Sequence, residues 1–326
     1  MPQKKLHELP FMDIYLCLNG EVPAHYRQTI SGKAGGHADE LDKDVPPDFS
    51  DDVASITAFL REKFIGDEMG LTYEGIRLRA AKVTTAGGLI WAAMRRINEE
   101  PPKLEKLGLM PALLPHVRKL GERDGLILIC GATGMGKTTT SCSVLADWLE
   151  QYGGVAFTIE DPVEYDLEGR RGKNGFCYQV EIDDEPQWAE MLKRALRWHP
   201  RYIFVGEIRT PDAANQLLRA ATTGHLVMTT MHAGSIEEGL EGLLHLAEQS
   251  IGDHAVHLLA SGITGVFHQT LTNMGLNMHF LVTEPGNPGS PLRAVIRERR
   301  VGQTRTFSDQ QMAMLRQNGK IFRDQG

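Results

Sequence analysis

The chain has 326 residues, 41% of them apolar and 24% charged, an ordinary balance for a water-soluble fold and a length that calls for two domains rather than one core. Its formal charge of −7 offers no general attraction to nucleic acid phosphates, so no stable nucleic acid partner is expected. The four cysteines (17, 130, 142 and 177) form no C-x-x-C pair, which excludes a zinc knuckle and reads as reduced, structural thiols. The start shows no signal peptide, and no apolar run approaches the ~20 residues of a membrane span, so no transmembrane segment is expected. These features predict a cytoplasmic protein that reaches a membrane only through another protein.

In chain order, Phe11–Leu18 reads as a short strand closed by the turn signal Asn19-Gly20. Residues 31–52, with glycines, prolines and seven acidic side chains, read as a mobile loop. Val53, Ile56, Phe59, Leu60 and Phe64 have helical spacing, with Asp51 or Asp52 able to cap. Ile76–Val83 alternates as a half-buried strand does, and after Gly87-Gly88 a helix is expected over Leu89–Ile97. Paired prolines and a charge cluster follow. The spacing predicts an α+β domain over residues 1–98, a linker over 99–120 and an α/β domain with a helical C-terminal region over 121–326.

In that second region short apolar strands alternate with helices: strands at 125–131, 155–160, 202–206 and 226–231, helices at 137–149 and 187–198. Such a rhythm predicts a parallel sheet covered on both faces. Arg293, Arg297, Arg299, Arg300 and Arg305 form a local basic run, read as a solvated surface or a subunit contact in preference to a nucleic acid site.

Between the first of these strands and its helix stands Gly131-Ala132-Thr133-Gly134-Met135-Gly136-Lys137-Thr138, a G-x-x-x-x-G-K-T phosphate-binding loop in the context that motif requires. Its glycines let backbone N–H groups turn inward around phosphates, and the helix N-terminus adds partial positive charge. Lys137 supplies a cation and the Thr138 hydroxyl a ligand for Mg²⁺; Thr139 follows directly and belongs to the same phosphate-contacting set. ATP and Mg²⁺ are therefore the expected ligands. Hydrolysis also needs carboxylates at neighbouring strand ends, where open α/β sheets hold their ligands. Glu160, Asp161 and Glu164 end one strand and Glu207 another; a glutamate there can orient water or hold a metal-bound water, or can simply be a solvated or capping acid. His225 and His232 bracket the last strand, about 23 Å apart if extended and on opposite faces, which excludes a shared metal. His232 stands at the carboxyl end, facing the γ-phosphate or the water; a lone histidine there can equally be structural.

The ordered blocks (phosphate loop, Thr-Ile-Glu-Asp-Pro-Val-Glu-Tyr, Val-Gly-Glu-Ile-Arg, and Thr-Gly-His-Leu-Val-x-Thr-x-x-His) resemble the secretion ATPase superfamily, whose members power type II secretion, type IV pili and type IV secretion. The resemblance covers about residues 75–272. It implies a RecA-like P-loop ATPase domain behind a smaller PAS-like N-terminal α+β domain, a homohexamer, and an inner-membrane platform protein as partner. By position it assigns Glu160, Asp161 and Glu164 to water and metal handling, Glu207 to the Walker B role with metal contact, and His225 and His232 to the histidine box. Arg79 and Arg95 resemble N-terminal arginines that reach nucleotide phosphates at a subunit boundary. The missing tetracysteine element and the stretch Pro291–Glu298 are similar to type IV pilus retraction ATPases (the PilT type). Asp13-Ile14-Tyr15, where that group has Asp-Ile-His, and the acidic loop depart from it. A type IV secretion ATPase and a non-catalytic nucleotide-binding assembly module are the alternatives.

Overall fold

The computed structural model describes residues 4–28, 42–97, 100–182, 184, 186–272 and 275–322. The chain divides into two compact units, Met1–Glu100 and Pro101–Gly326.

The first unit comprises β1 (Asp13–Cys17), β2 (His25–Arg27), β3 (Asp42–Asp44), α1 (Ser50–Lys63), β4 (Glu68–Tyr73), β5 (Ile76–Thr84) and β6 (Ile90–Arg96). Its strands form an antiparallel sheet in the order β3-β2-β1-β6-β5-β4. Ile56 and Leu60 of α1 pack against Ile14, Leu78, Ala80 and Met94 from one face of that sheet. The helix expected over 89–97 is the strand β6. Gly88 takes φ +79°, the left-handed geometry a tight turn needs, and folds residues 90–96 back onto β5, where Ala92 and Met94 alternate inward. A run such as Ile-Trp-Ala-Ala-Met satisfies either period, and pairing decides.

The loop expected over 31–52 is only partly testable, since 31–41 lie outside the described residues; 42–44 pair with β2 and 50–52 already belong to α1. Nor do Asp51 and Asp52 cap α1: both lie within its first turn. Asp52 is buried and accepts from the Leu6 N–H at 2.7 Å and from Lys5 Nζ at 2.9 Å, anchoring the N-terminal segment to the helix.

The second unit comprises α2 (Leu114–Leu120), β7 (Gly125–Cys130), α3 (Lys137–Tyr152), β8 (Gly154–Glu160), β9 (Gly169–Arg171), β10 (Gly175–Glu181), α4 (Gln187–Leu196), β11 (Tyr202–Glu207), α5 (Pro211–Ala221), β12 (Leu226–Met231), α6 (Ile236–Ile251), α7 (His254–Gly262), β13 (Ile263–Thr272), β14 (Gly275–Val282), α8 (Pro291–Arg297) and α9 (Thr304–Asn318). The sheet order is β14-β13-β7-β12-β11-β8-β10-β9; the six inner strands are parallel and the two edges antiparallel. Alternation along β7 shows why both faces are covered. Leu126, Leu128 and Cys130 join one core with residues of α4–α8, while Ile127 and Ile129 join another with α2, α3 and α9.

The stretch 99–120, read as a linker, is not a free tether after residue 103. Leu104, Leu109, Leu113, Val117 and Leu120 are buried in the core shared with α3, and Trp148 Nε1 donates to the Val117 carbonyl at 3.1 Å. The basic run is spent largely within the chain: Arg299 pairs with Glu248 at 2.6 Å and Asp253 at 2.7 Å, and Arg293 reaches the Ile263 carbonyl. All four cysteines are free thiols and buried. No helix among the described residues is long and apolar enough to cross a membrane.

Candidate functional site

Four adjacent parallel strands, β7, β12, β11 and β8, end on the same side of the sheet, and each delivers one part of a single cleft of about 430 Å³. Strand β7 runs into the phosphate loop, β8 ends at Glu160, β11 at Glu207, and β12 hands over to His232. The cleft is lined by Thr133, Gly134, Gly136, Lys137, Thr138, Thr139, Glu160, Asp161, Glu164, Glu207 and His232, together with Pro162, Gly206, Arg209 and Thr230. Its size is that of an ordinary small-molecule site.

The loop is shaped by its glycines. Gly134 and Gly136 take φ +78° and +77°, and a side chain at Gly131 would meet the Gln269 carbonyl oxygen at 2.7 Å. Helix α3 begins at Lys137, so its unpaired N–H groups and the positive end of its dipole face the cleft. Lys137 Nζ donates to the loop's own carbonyls, Gly131 at 2.8 Å and Ala132 at 3.1 Å. Burial lowers the Lys137 pKa from the usual lysine range, while Glu207, Cys130 and Glu164 pull it up. The Thr139 hydroxyl lies 3.0 Å from the Tyr165 hydroxyl, tying α3 to the acidic segment after β8.

The carboxylates differ in setting. Glu160 is 1% exposed; its Oε1 accepts from Thr158 at 2.6 Å and Gln179 at 3.0 Å, which fixes its direction. Glu207 is about a third exposed and accepts from Arg209, which also lies 3.9 Å from Asp161. Glu164 is exposed at the rim. The Thr230 hydroxyl donates to the Gly206 carbonyl at 2.6 Å, locking the end of β11 to β12.

Two residues that sequence reasoning did not single out belong here. Arg209 is the last residue of the Val-Gly-Glu-Ile-Arg block, two positions past Glu207, so the signal was present in the motif itself. Gln269 lies far downstream in β13, and no local pattern points to it; its Nε2 donates to the Met135 carbonyl at 2.6 Å.

His225 is not brought to this cleft. It stands before the amino end of β12, its Nδ1 2.7 Å from the Pro200 carbonyl, six residues and about 20 Å of strand from the end that carries His232. Arg79 and Arg95 lie in the first unit, directly opposite each other on β5 and β6. Arg79 pairs with Glu68, and Arg95 grips Asp13 with Nε at 2.8 Å and Nη2 at 3.3 Å.

A family model described as "Type II/IV secretion system protein" matches residues 68–308. This chain belongs to that family. Type II secretion system protein E of Xanthomonas campestris pv. campestris is 34% identical over 201 residues, 60% of this chain and 32% of that protein. Type IV pilus ATPase PilU of Pseudomonas aeruginosa is 33% identical over 158 residues, 48% of this chain and 40% of that one. Among solved structures, that of the pilus retraction motor PilT with bound ADP matches with a TM-score of 0.70 and 28% identity, over 93% of this chain and 87% of the other. The match thus spans less than half the length of those two curated relatives. The type II/IV secretion family bears out the superfamily read from the four blocks, and the RecA-like P-loop domain with a smaller α+β domain before it is the fold of this member.

Proposed function

We propose that this chain binds ATP with Mg²⁺ at residues 131–139, hydrolyses it, and acts as one subunit of a homohexameric motor at the inner-membrane platform of a type IV pilus or a related secretion system. One observation carries the reading: the phosphate loop, two glutamates and a histidine converge on one cleft from four neighbouring strand ends. Family membership, and the ADP named in the structure of the related retraction motor, support a nucleotide as the ligand.

The residues present fit the metal. Mg²⁺ keeps several waters and is held by nucleotide phosphates with one or two protein oxygens, which the Thr138 hydroxyl and the Glu207 carboxylate would supply. When bound, Mg²⁺ neutralises charge on the phosphates. Lys137 and the α3 N-terminus bind the β- and γ-phosphates and stabilise charge that develops there. Glu160, oriented by Thr158 and Gln179, is the group placed to accept a proton from the attacking water, with His232 beside it as a polar contact for water or γ-phosphate. Asp161 and Glu164 complete the acidic wall. Arg79 and Arg95 are assigned to the nucleotide of a neighbouring subunit, which would make turnover depend on assembly. The protein would stay at the cytoplasmic side, held to the membrane by its platform partner.

The test is steady-state ATP hydrolysis against protein concentration, with Glu207→Ala alongside. Specific activity that rises with concentration, and falls at least about a hundredfold in the variant, is the expected result. A variant that turns over like the native chain would remove Glu207 from the chemistry, and no turnover at any concentration would leave two readings, a nucleotide-binding scaffold or a motor that starts only on its platform.

A further inference from the structure

The phosphate loop is braced from a strand that ends far from it in sequence. β13 runs parallel to β7, with His268 opposite Cys130, so Gln269 is the next residue along just where β7 gives way to Gly131. Gln269 is fully buried. Its main-chain oxygen occupies the space a side chain at Gly131 would need, its Nε2 donates to the Met135 carbonyl, and the Leu271 N–H lies 3.3 Å from Met135 Sδ. The amide orientation follows from chemistry: a carbonyl needs a donor, so Nε2 faces Met135. Gln269 Oε1 is buried with no hydrogen-bond partner among the described residues.

The peptide bond turns this contact into a statement about the site. In a trans peptide the C=O and the following N–H point in opposite directions. Holding the Met135 carbonyl inward on Gln269 therefore aims the Gly136 N–H the other way, and Gly136 lines the cleft. With φ near +77° and no Cβ, Gly136 has little conformational preference of its own to fix that direction.

We propose that Gln269 is a positioning residue for phosphate binding, one that sets the orientation of the Met135–Gly136 peptide so that a loop amide is presented to the anion. The proposal rests on the reading of residues 131–139 as the nucleotide grip, and its consequence for the loop can be measured without nucleotide. A residue present only for packing would behave differently. Leucine fills nearly the same volume and removes the unmatched Oε1, so Gln269→Leu should leave global stability intact while freeing the loop.

The experiment compares the native chain with Gln269→Leu and Gln269→Glu by thermal unfolding, by hydrogen exchange of the peptide covering 131–138, and by titration with a fluorescent ATP analogue and Mg²⁺. Gln269→Leu should unfold within about 3 °C of the native chain, exchange its loop amides roughly tenfold faster, and bind the analogue about tenfold more weakly. Gln269→Glu keeps a donor only while its carboxyl is protonated; its binding relative to the native chain at each pH should therefore improve as pH falls and drop to that of Gln269→Leu or below as pH rises. Loop exchange in Gln269→Leu equal to the native chain, or binding by Gln269→Glu that does not recover relative to the native chain as pH falls, overturns the proposal. If the native chain binds no analogue yet the loop exchange responds as described, the nucleotide reading fails and the bracing role stands.

Discussion

Arg209 donates from both Nε and Nη2 to the same oxygen of Glu207, at 3.2 and 2.9 Å. With Asp161 3.9 Å away, one guanidinium offsets two acidic groups on the wall that faces the phosphate loop. Both ends of the Arg209–Glu207 pair are partly exposed, so its contribution to stability is small, while its effect on an incoming polyanion is not. Arg209→Ala is expected to change unfolding free energy by less than about 1 kcal/mol and to raise KM for ATP about tenfold. Urea unfolding and steady-state kinetics on the same preparation check both; a large loss of stability with unchanged KM would make Arg209 a structural residue.

The two histidines of the last motif separate by position. His232 lines the cleft and His225 is hydrogen-bonded at the opposite end of β12. His232→Ala should lower turnover about tenfold to a hundredfold, whereas His225→Ala should leave nucleotide affinity within about twofold, because nothing within a hydrogen bond's reach of the cleft has changed. Equal loss of affinity in both variants would contradict the placement.

Lys137 gives a pH dependence whose sign is fixed. Burial lowers its folded-state pKa below the ordinary 10.5. Between the lowered value and 10.5 the unfolded chain still holds the proton that the folded chain has lost, so stability rises with pH over that window. The native chain should gain stability relative to Lys137→Met as pH climbs toward 10.5, and nucleotide affinity should decline over the same range as the cation is lost. Denaturant unfolding at several alkaline pH values reads the first effect. A native-minus-variant difference that falls with pH would reverse the assignment.

Trp148 is 1% exposed, stacks near Tyr202 and binds the Val117 carbonyl, so it joins α2 to α3. Trp148→Ala is expected to cost about 3–5 kcal/mol through the cavity and the orphaned carbonyl. Hydrogen exchange in residues 113–120 should accelerate most. If that stretch exchanges as fast in the native chain as in the variant, it is a tether and not part of the core.

The second unit was legible where short-range signals suffice. Gly131 to Thr138 carry a loop whose chemistry depends on spacing, and β7, β8, β11 and β12 are short apolar runs cut off by glycine, proline or charge. Long-range pairing was not legible. Residues 90–96 became a strand because a turn at Gly88 brings them beside β5; β9, β13 and β14 escaped notice because their patterns do not alternate cleanly, and β10 because the residues it turns inward, Gly175, Cys177 and Gln179, are not the large apolar ones. Gln269 illustrates the limit. Its partner Met135 lies 134 positions away, and a buried glutamine in a strand announces nothing until the strands are side by side.

The burial of the thiols has a practical consequence. Cys130, Cys142 and Cys177 are 0% exposed and Cys17 only 6%, and burial pushes Cys130 up to about 12 and the Cys142 and Cys177 thiols well above their usual range. Maleimide and thiosulfonate reagents attack thiolates within reach of solvent, so the native protein is nearly silent to them. A cysteine placed at an exposed position such as Trp198 or Ile65 can then carry a fluorophore or a spin probe with no background substitution, and a pair of them opens the chain to distance measurements in solution.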